Sequence, residues 1–106
     1  NGSLTNLSLA DNNIGGYWDG SRTIYTPEGP KAIADALLVN GSLTKISLAS
    51  NELEEEGTRV ICEAVKGNKT LKELDLSGGF IRNISNIGGS AGAKLVADML
   101  GGNGSL

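Results

Sequence analysis

The chain repeats itself, and that constrains it more than any other feature. Leu4-Thr5-Asn6-Leu7-Ser8-Leu9-Ala10-Asp11-Asn12-Asn13-Ile14 reads L-x-x-L-x-L-x-x-N-x-I. Leu43, Ile46, Leu48, Asn51 and Leu53 repeat the pattern. Leu71, Leu74, Leu76 and Ile81 repeat it again, with Gly79 in the asparagine's place, and Leu106 starts a fourth copy. The leading leucines stand 39, 28 and 35 residues apart. A module of this size cannot cover its own apolar side, so its copies must stack into one continuous core.

A second segment aligns without gaps. Gly29–Leu37, Gly57–Val65 and Gly92–Leu100 each begin with a glycine that stands 14 residues before the next leading leucine. Ile33, Ala36 and Leu37, with their counterparts, give the i, i+3, i+4 stripe of an amphipathic helix. Asn40-Gly41, Asn68-Lys69 and Asn103-Gly104 are expected to close the helices in the left-handed conformation of a C-terminal cap. The longer copies carry 11 and 7 extra residues. These are expected between strand motif and helix, at about 15–26 and 82–91. The chain thus reads as a single domain with repeats 4–42, 43–70 and 71–105 and the start of a fourth at 106.

Each repeat reads as a short strand, a turn, a helix and a return. The motif leucines point inward, and the residues around them alternate outward. The outward set is Thr5, Asn6 and Ser8, then Thr44, Lys45 and Ser47, then Lys72, Glu73 and Asp75. Asn12 and Asn51 belong to the turns after the strands, where an amide side chain can satisfy backbone groups that no strand pairing reaches. Gly79 cannot do so. The asparagine ladder is therefore expected to break in the third copy, with water or the second insertion taking its place.

Together, L-x-x-L-x-L-x-x-N-x-L and the G-x-x-x-[IV]-[AC]-x-x-[LV] helix resemble the ribonuclease-inhibitor-like leucine-rich repeats. Similar repeats occur in NOD-like receptors and Ran GTPase-activating proteins. Gly57 to Val65, with Cys62 five residues after the glycine, is especially similar. The resemblance implies an α/β leucine-rich-repeat solenoid, a horseshoe segment with parallel strands on the concave side and helices on the convex side. It also implies a non-enzymatic scaffold that binds another protein on the concave strand face.

Composition excludes much. With 106 residues there is no room for a separate catalytic domain. Histidine is absent, which removes Ser-His-Asp, Cys-His and imidazole–zinc chemistry. One cysteine can neither form an internal disulfide nor make a thiolate metal site. Cys62 shares its column with Ala34 and Ala97 and reads as a packed core residue. A net charge of −3 argues against nucleic acid as partner. No apolar run is long enough to span a membrane. Gly15-Gly16 and Gly88-Gly89 lack the lysine of a phosphate loop. No catalytic, cofactor or metal residue is expected. The single cysteine and the lack of a visible signal peptide point to a cytoplasmic location. Glu52, Glu54, Glu55 and Glu56 read as a solvated first helical turn.

Three of the four aromatic residues, Tyr17, Trp18 and Tyr25, fall in the first insertion around the turn signal Asp19-Gly20. That spacing suits a small hairpin. With Arg22 it is either a contact site for a partner or a shield packed on the repeats. Thr26-Pro27-Glu28 reads as a helix start, with Thr26 as cap. The second insertion, rich in Asn, Ser and Gly, reads as a loop. Two other functions stay open: a GTPase-activating regulator using Arg22, Arg59 or Arg82, and a secreted glycoprotein using the sequons at Asn1, Asn6, Asn40, Asn68, Asn83 and Asn103. Three of these sequons are one repeat position. Neither end carries a polar cap, so the chain reads as a fragment of a longer array whose open ends can self-associate.

Overall fold

A computed structural model describes residues 4–78, 86–103 and 106. The elements in chain order are β1 (Asn6–Ser8), β2 (Gly16–Trp18), β3 (Thr23–Tyr25), α1 (Glu28–Val39), β4 (Lys45–Ser47), α2 (Glu54–Gly67), β5 (Glu73–Asp75) and α3 (Gly89–Gly102). Strands β1, β4 and β5 form a parallel sheet in that order, with Leu7, Ile46 and Leu74 in one register column. The helices pack side by side in the same order, α1 on α2 and α2 on α3. Every strand–helix unit therefore lies beside its sequence neighbour, as repeat stacking requires.

The core is the merged inward columns. Ile46, Leu48, Ile61 and Val65 of the middle repeat are at most 1% exposed, and the outer-repeat residues Leu7, Leu9, Ile33, Leu74, Leu76 and Val96 pack against them half-buried. The difference arises because β4 and α2 have a neighbour on each side. Burying one such aliphatic side chain contributes about 1.5–3 kcal/mol.

The asparagine ladder continues through the third repeat, carried by Asn86. Asn51 Oδ1 accepts the N–H groups of Asn12 (2.8 Å) and Ile14 (3.2 Å), while its Nδ2 donates to the Leu9 and Ala49 carbonyls. Asn86 does the same one layer on. Its Oδ1 accepts from Asn51 N (2.8 Å) and Leu53 N (3.4 Å), and its Nδ2 donates to Leu48 O and Leu76 O. Asn86 stands six residues before Gly92, as Asn51 does before Gly57. The seven extra residues thus precede the ladder position in the third copy, whereas the eleven in the first copy follow it. The ladder expected to break in the third copy is instead continued by Asn86, which belongs to the second insertion, one of the two expected substitutes for Gly79. The expected loop over 82–91 is corrected at its end, where Gly89 to Ala91 are helical. Asn86 is buried in the ladder, and α3 already begins at Gly89. Gly79, Ile81, Arg82 and Asn83 lie outside the described residues.

The helix ends differ from expectation too. Asn40, Asn68 and Asn103 are extended, with φ of −81°, −87° and −102°, not left-handed. Their side chains form a second ladder along the return to the strands. Asn68 Oδ1 accepts from Thr70 N and Leu71 N, and its Nδ2 donates to Leu37 O and Asn40 O of the preceding repeat. Asn103 Nδ2 repeats this on Val65 O and Asn68 O. The extended backbone lets one amide serve two repeats, which a left-handed cap facing its own helix would not. At the other end of α1 the Thr26 hydroxyl does not cap the helix; it donates to Ile14 O at 3.1 Å.

Gly29 and Gly92 lead their helices because the chain crosses tightly there. A Cβ on Gly29 would overlap Ile14 O, and one on Gly92 would overlap Ile87 O. At Gly57 the nearest atom is Leu53 Cβ at 3.1 Å.

Candidate functional site

The nine outward positions come together on the sheet side away from the helices. Parallel register sets them in rows: Asn6, Lys45 and Glu73 in one, Ser8, Ser47 and Asp75 in another. Thr5, Thr44 and Lys72 precede the strands and form a staircase. The Thr5 carbonyl accepts Thr44 N (2.8 Å) and Lys45 N (3.0 Å), and the Thr44 carbonyl accepts Lys72 N (2.7 Å) and Glu73 N (3.0 Å). All nine are exposed except Ser47, which is half-buried. Backbone hydrogen bonds between neighbouring strands set their spacing.

Charges on this face are matched locally. Lys45 Nζ lies 3.2 Å from Glu73 Oε2, and Ser47 Oγ lies 3.1 Å from Asp75 Oδ2. The Ser77 backbone N–H donates to Asp75 Oδ1 at 3.0 Å, and this bond, with help from Ser47 and Lys45, holds the Asp75 carboxyl below its usual range. An exposed ion pair of this kind contributes about 0–1 kcal/mol, so a partner group can displace it.

The first insertion folds as the antiparallel hairpin β2–β3, pairing Gly16 with Tyr25, Tyr17 with Ile24 and Trp18 with Thr23. Strand alternation puts Trp18 and Tyr25 diagonally on one face and Tyr17 with Ile24 on the other. Tyr17, Trp18 and Tyr25 are 43%, 37% and 53% exposed. Asp19 closes the turn: its Oδ1 accepts from Ser21 N and Arg22 N, bonds that lower its pKa, and its Oδ2 faces Arg22 Nε at 3.9 Å.

The hairpin is fastened to the second repeat at its base. Gly15 N donates to Asn51 O at 2.9 Å, and a Cβ on Gly15 would sit 2.6 Å from Glu52 O. This brings Tyr25 near Glu54 and Glu52, a relation that linear spacing concealed. Burial and then those two carboxylates push the Tyr25 phenol up. Burial and then Glu52 raise the Glu54 carboxyl, and Glu52 Oε2 is buried with no hydrogen-bond partner among the described residues. The acidic run thus divides. Glu55 and Glu56 are exposed and pair with Arg59 at 3.1 and 3.6 Å, as a solvated helical turn should. Glu52 and Glu54 turn partly inward.

Other sequence features resolve as structure. Cys62 is 3% exposed, and burial raises its thiol to about 11. The amide nitrogens of Asn68 and Asn103 are occupied by the second ladder, so these two sequons mark a structural position. Asn6 is exposed in β1. Among the described residues no His, Cys, Asp and Glu side chains cluster as a metal site, and no helix is long and apolar enough to cross a membrane.

Comparison with known proteins agrees with this architecture. The family model described as Leucine Rich repeat matches residues 67–82. The chain is 45% identical over 49 residues to human NACHT, LRR and PYD domains-containing protein 13, covering 45% of this chain and 5% of that protein. It is 50% identical over 48 residues to mouse NACHT, LRR and PYD domains-containing protein 9B, covering 44% and 5%. With mouse ribonuclease inhibitor it shares 48% over 40 residues, covering 38% and 9%. The chain spans a small part of each relative's length. Ladder, sheet and helix columns agree with these matches: the chain is built of leucine-rich repeats, similar to those of ribonuclease inhibitor and of the NOD-like receptors.

Proposed function

We propose that the chain is a non-enzymatic protein-binding scaffold. Its outward strand rows form the concave face of a curved solenoid segment, and the β2–β3 hairpin is a second contact. Leucine-rich repeats typically serve protein–protein interaction, which supports the class. The observation that carries the reading is the set of nine polar side chains on one sheet face, six of them held in strand register. Each strand offers two outward residues, and strands lie about 4.8 Å apart, so a partner meets a rigid grid at little entropic cost. The only thiol is buried and its ionisation is suppressed, which favours binding over catalysis.

The hairpin adds what the grid lacks, namely exposed aromatic rings, the residue type that anchors interfaces. Affinity capture with the chain immobilised tests the reading. Changing Asn6, Lys45 and Asp75 together to alanine is expected to abolish capture of a partner that the unaltered chain retains. Changing Lys31 and Asp35, an exposed pair on α1, is expected to leave capture intact. The opposite pattern would place binding on the helices and overturn the proposal.

A further inference from the structure

We infer that the Tyr25 side of the β2–β3 hairpin, with Glu52 and Glu54 at its base, receives an arginine side chain of a partner protein. This deepens the reading of the hairpin as a contact and rests on it.

Backbone bonds bring the ring and the carboxylates together. The Gly15 N–H donates to Asn51 O at 2.9 Å, and Gly15 O accepts the N–H of Thr26, next to Tyr25, at 3.0 Å. Gly15 lies so close to the second repeat that a Cβ there would sit 2.6 Å from Glu52 O and 2.7 Å from Leu53 Cα. The turn that carries Glu52 and Glu54 is therefore tied to the strand that carries Tyr25. Strand alternation puts Trp18 and Thr23 on the same hairpin face as Tyr25.

Negative charge at this place is left uncompensated. No lysine or arginine among the described residues pairs with Glu52 or Glu54. Arg22 is engaged with Asp19, and Arg59 with Glu55 and Glu56. Glu52 Oε2 is buried with no hydrogen-bond partner among the described residues, so a donor that reaches it is favoured. Tyr25 is exposed, Glu52 and Glu54 are half-buried, and both carboxylates act on the Tyr25 phenol. A group that enters from solvent meets the ring first and the carboxylates behind it.

That combination selects a guanidinium. It is flat, permanently charged and stacks on a ring face, while its forked N–H donors can serve two carboxylates. A lysine ammonium is a compact point charge without the fork. A hard metal ion seeks a full shell of oxygens, which two carboxylates beside a ring do not supply.

An NMR titration of the chain with the capped peptide Gly-Ser-Arg-Ser-Gly tests this. Saturable amide shifts are expected around Tyr25, Glu52 and Glu54, with a Kd of about 1 mM. A peptide with lysine in place of arginine is expected to bind more weakly. Glu52→Gln with Glu54→Gln should weaken binding about tenfold or more. Glu55→Gln with Glu56→Gln removes the same charge from the exposed side of the turn and should leave affinity unchanged. Tyr25→Phe keeps the ring and should bind as the parent does, whereas Tyr25→Leu should not. Circular dichroism establishes that each variant is folded, and Glu54→Gln alone replaces the first pair if it is not. Absence of saturable shifts at these residues, equal affinity for the lysine peptide, or equal losses in the two glutamine pairs would each overturn the inference. The variant with Asn6, Lys45 and Asp75 changed to alanine is expected to bind the peptide normally. Failure of partner capture on the strand rows and failure of this site are thus told apart.

Discussion

Asn86 Oδ1 accepts the backbone N–H of Asn51 at 2.8 Å, across 35 residues of sequence. This bond places a third-repeat side chain under the turn of the second repeat, and it shows that asparagine is a junction residue. The turn it supports is otherwise unfavourable, since Ser50 and Glu52 on either side of Asn51 have φ of 54° and 52°. Non-glycine residues adopt that conformation at a cost, and the ladder's bonds hold them there.

Asn86→Ala is expected to destabilise the chain by about 1–3 kcal/mol, because two buried N–H groups lose their acceptor. Asn12→Ala, at an exposed end of the ladder, should cost distinctly less. Urea unfolding of the two variants compares them, and equal losses would refute the junction role.

Gly92→Ala should lose about 1–3 kcal/mol, since the new methyl must displace the Ile87 carbonyl. Gly41→Ala has open space around it and should stay within about 0.5 kcal/mol of the parent. Thermal or urea midpoints decide between them.

Trp18→Ala is expected to leave far-UV circular dichroism unchanged and stability within about 1 kcal/mol, as the ring lies on an appended hairpin. Global unfolding of this variant would make the ring part of the core. Gly15→Ala should be worse, because it strikes backbone where the hairpin is anchored.

Cys62 supplies a pH prediction. Its thiol is raised from 9.0 to about 11 in the folded chain, so the folded state keeps the proton longer than the unfolded state does. The stability it contributes is full below about pH 9 and is lost as pH rises through about 11. Urea midpoints across that range should fall less steeply in Cys62→Ala. Native protein should also react with a thiol reagent far more slowly than unfolded protein.

Much of the fold was legible because stacking leaves a periodic trace. Leu7, Ile46 and Leu74 had to point the same way in every copy, so their columns, the three helices and the outward rows could be read from spacing. Likewise Asp19-Gly20, with alternating residues around it, signalled a hairpin locally. What spacing could not give was the identity of groups that meet across repeats. Gly79 aligned by count with the asparagines, yet a buried backbone donor selects whichever amide reaches it, and that was Asn86. The same reason hid the second ladder at Asn40, Asn68 and Asn103, where Asn-Gly looked like a left-handed cap. It also hid the approach of Tyr25 to Glu52 and Glu54, 27 and 29 residues away in sequence. Local periodicity alone determined that these modules exist and which side of each is apolar. The packed structure decided which polar atoms pair between them, because hydrogen-bond satisfaction depends on three-dimensional reach and not on position in the chain.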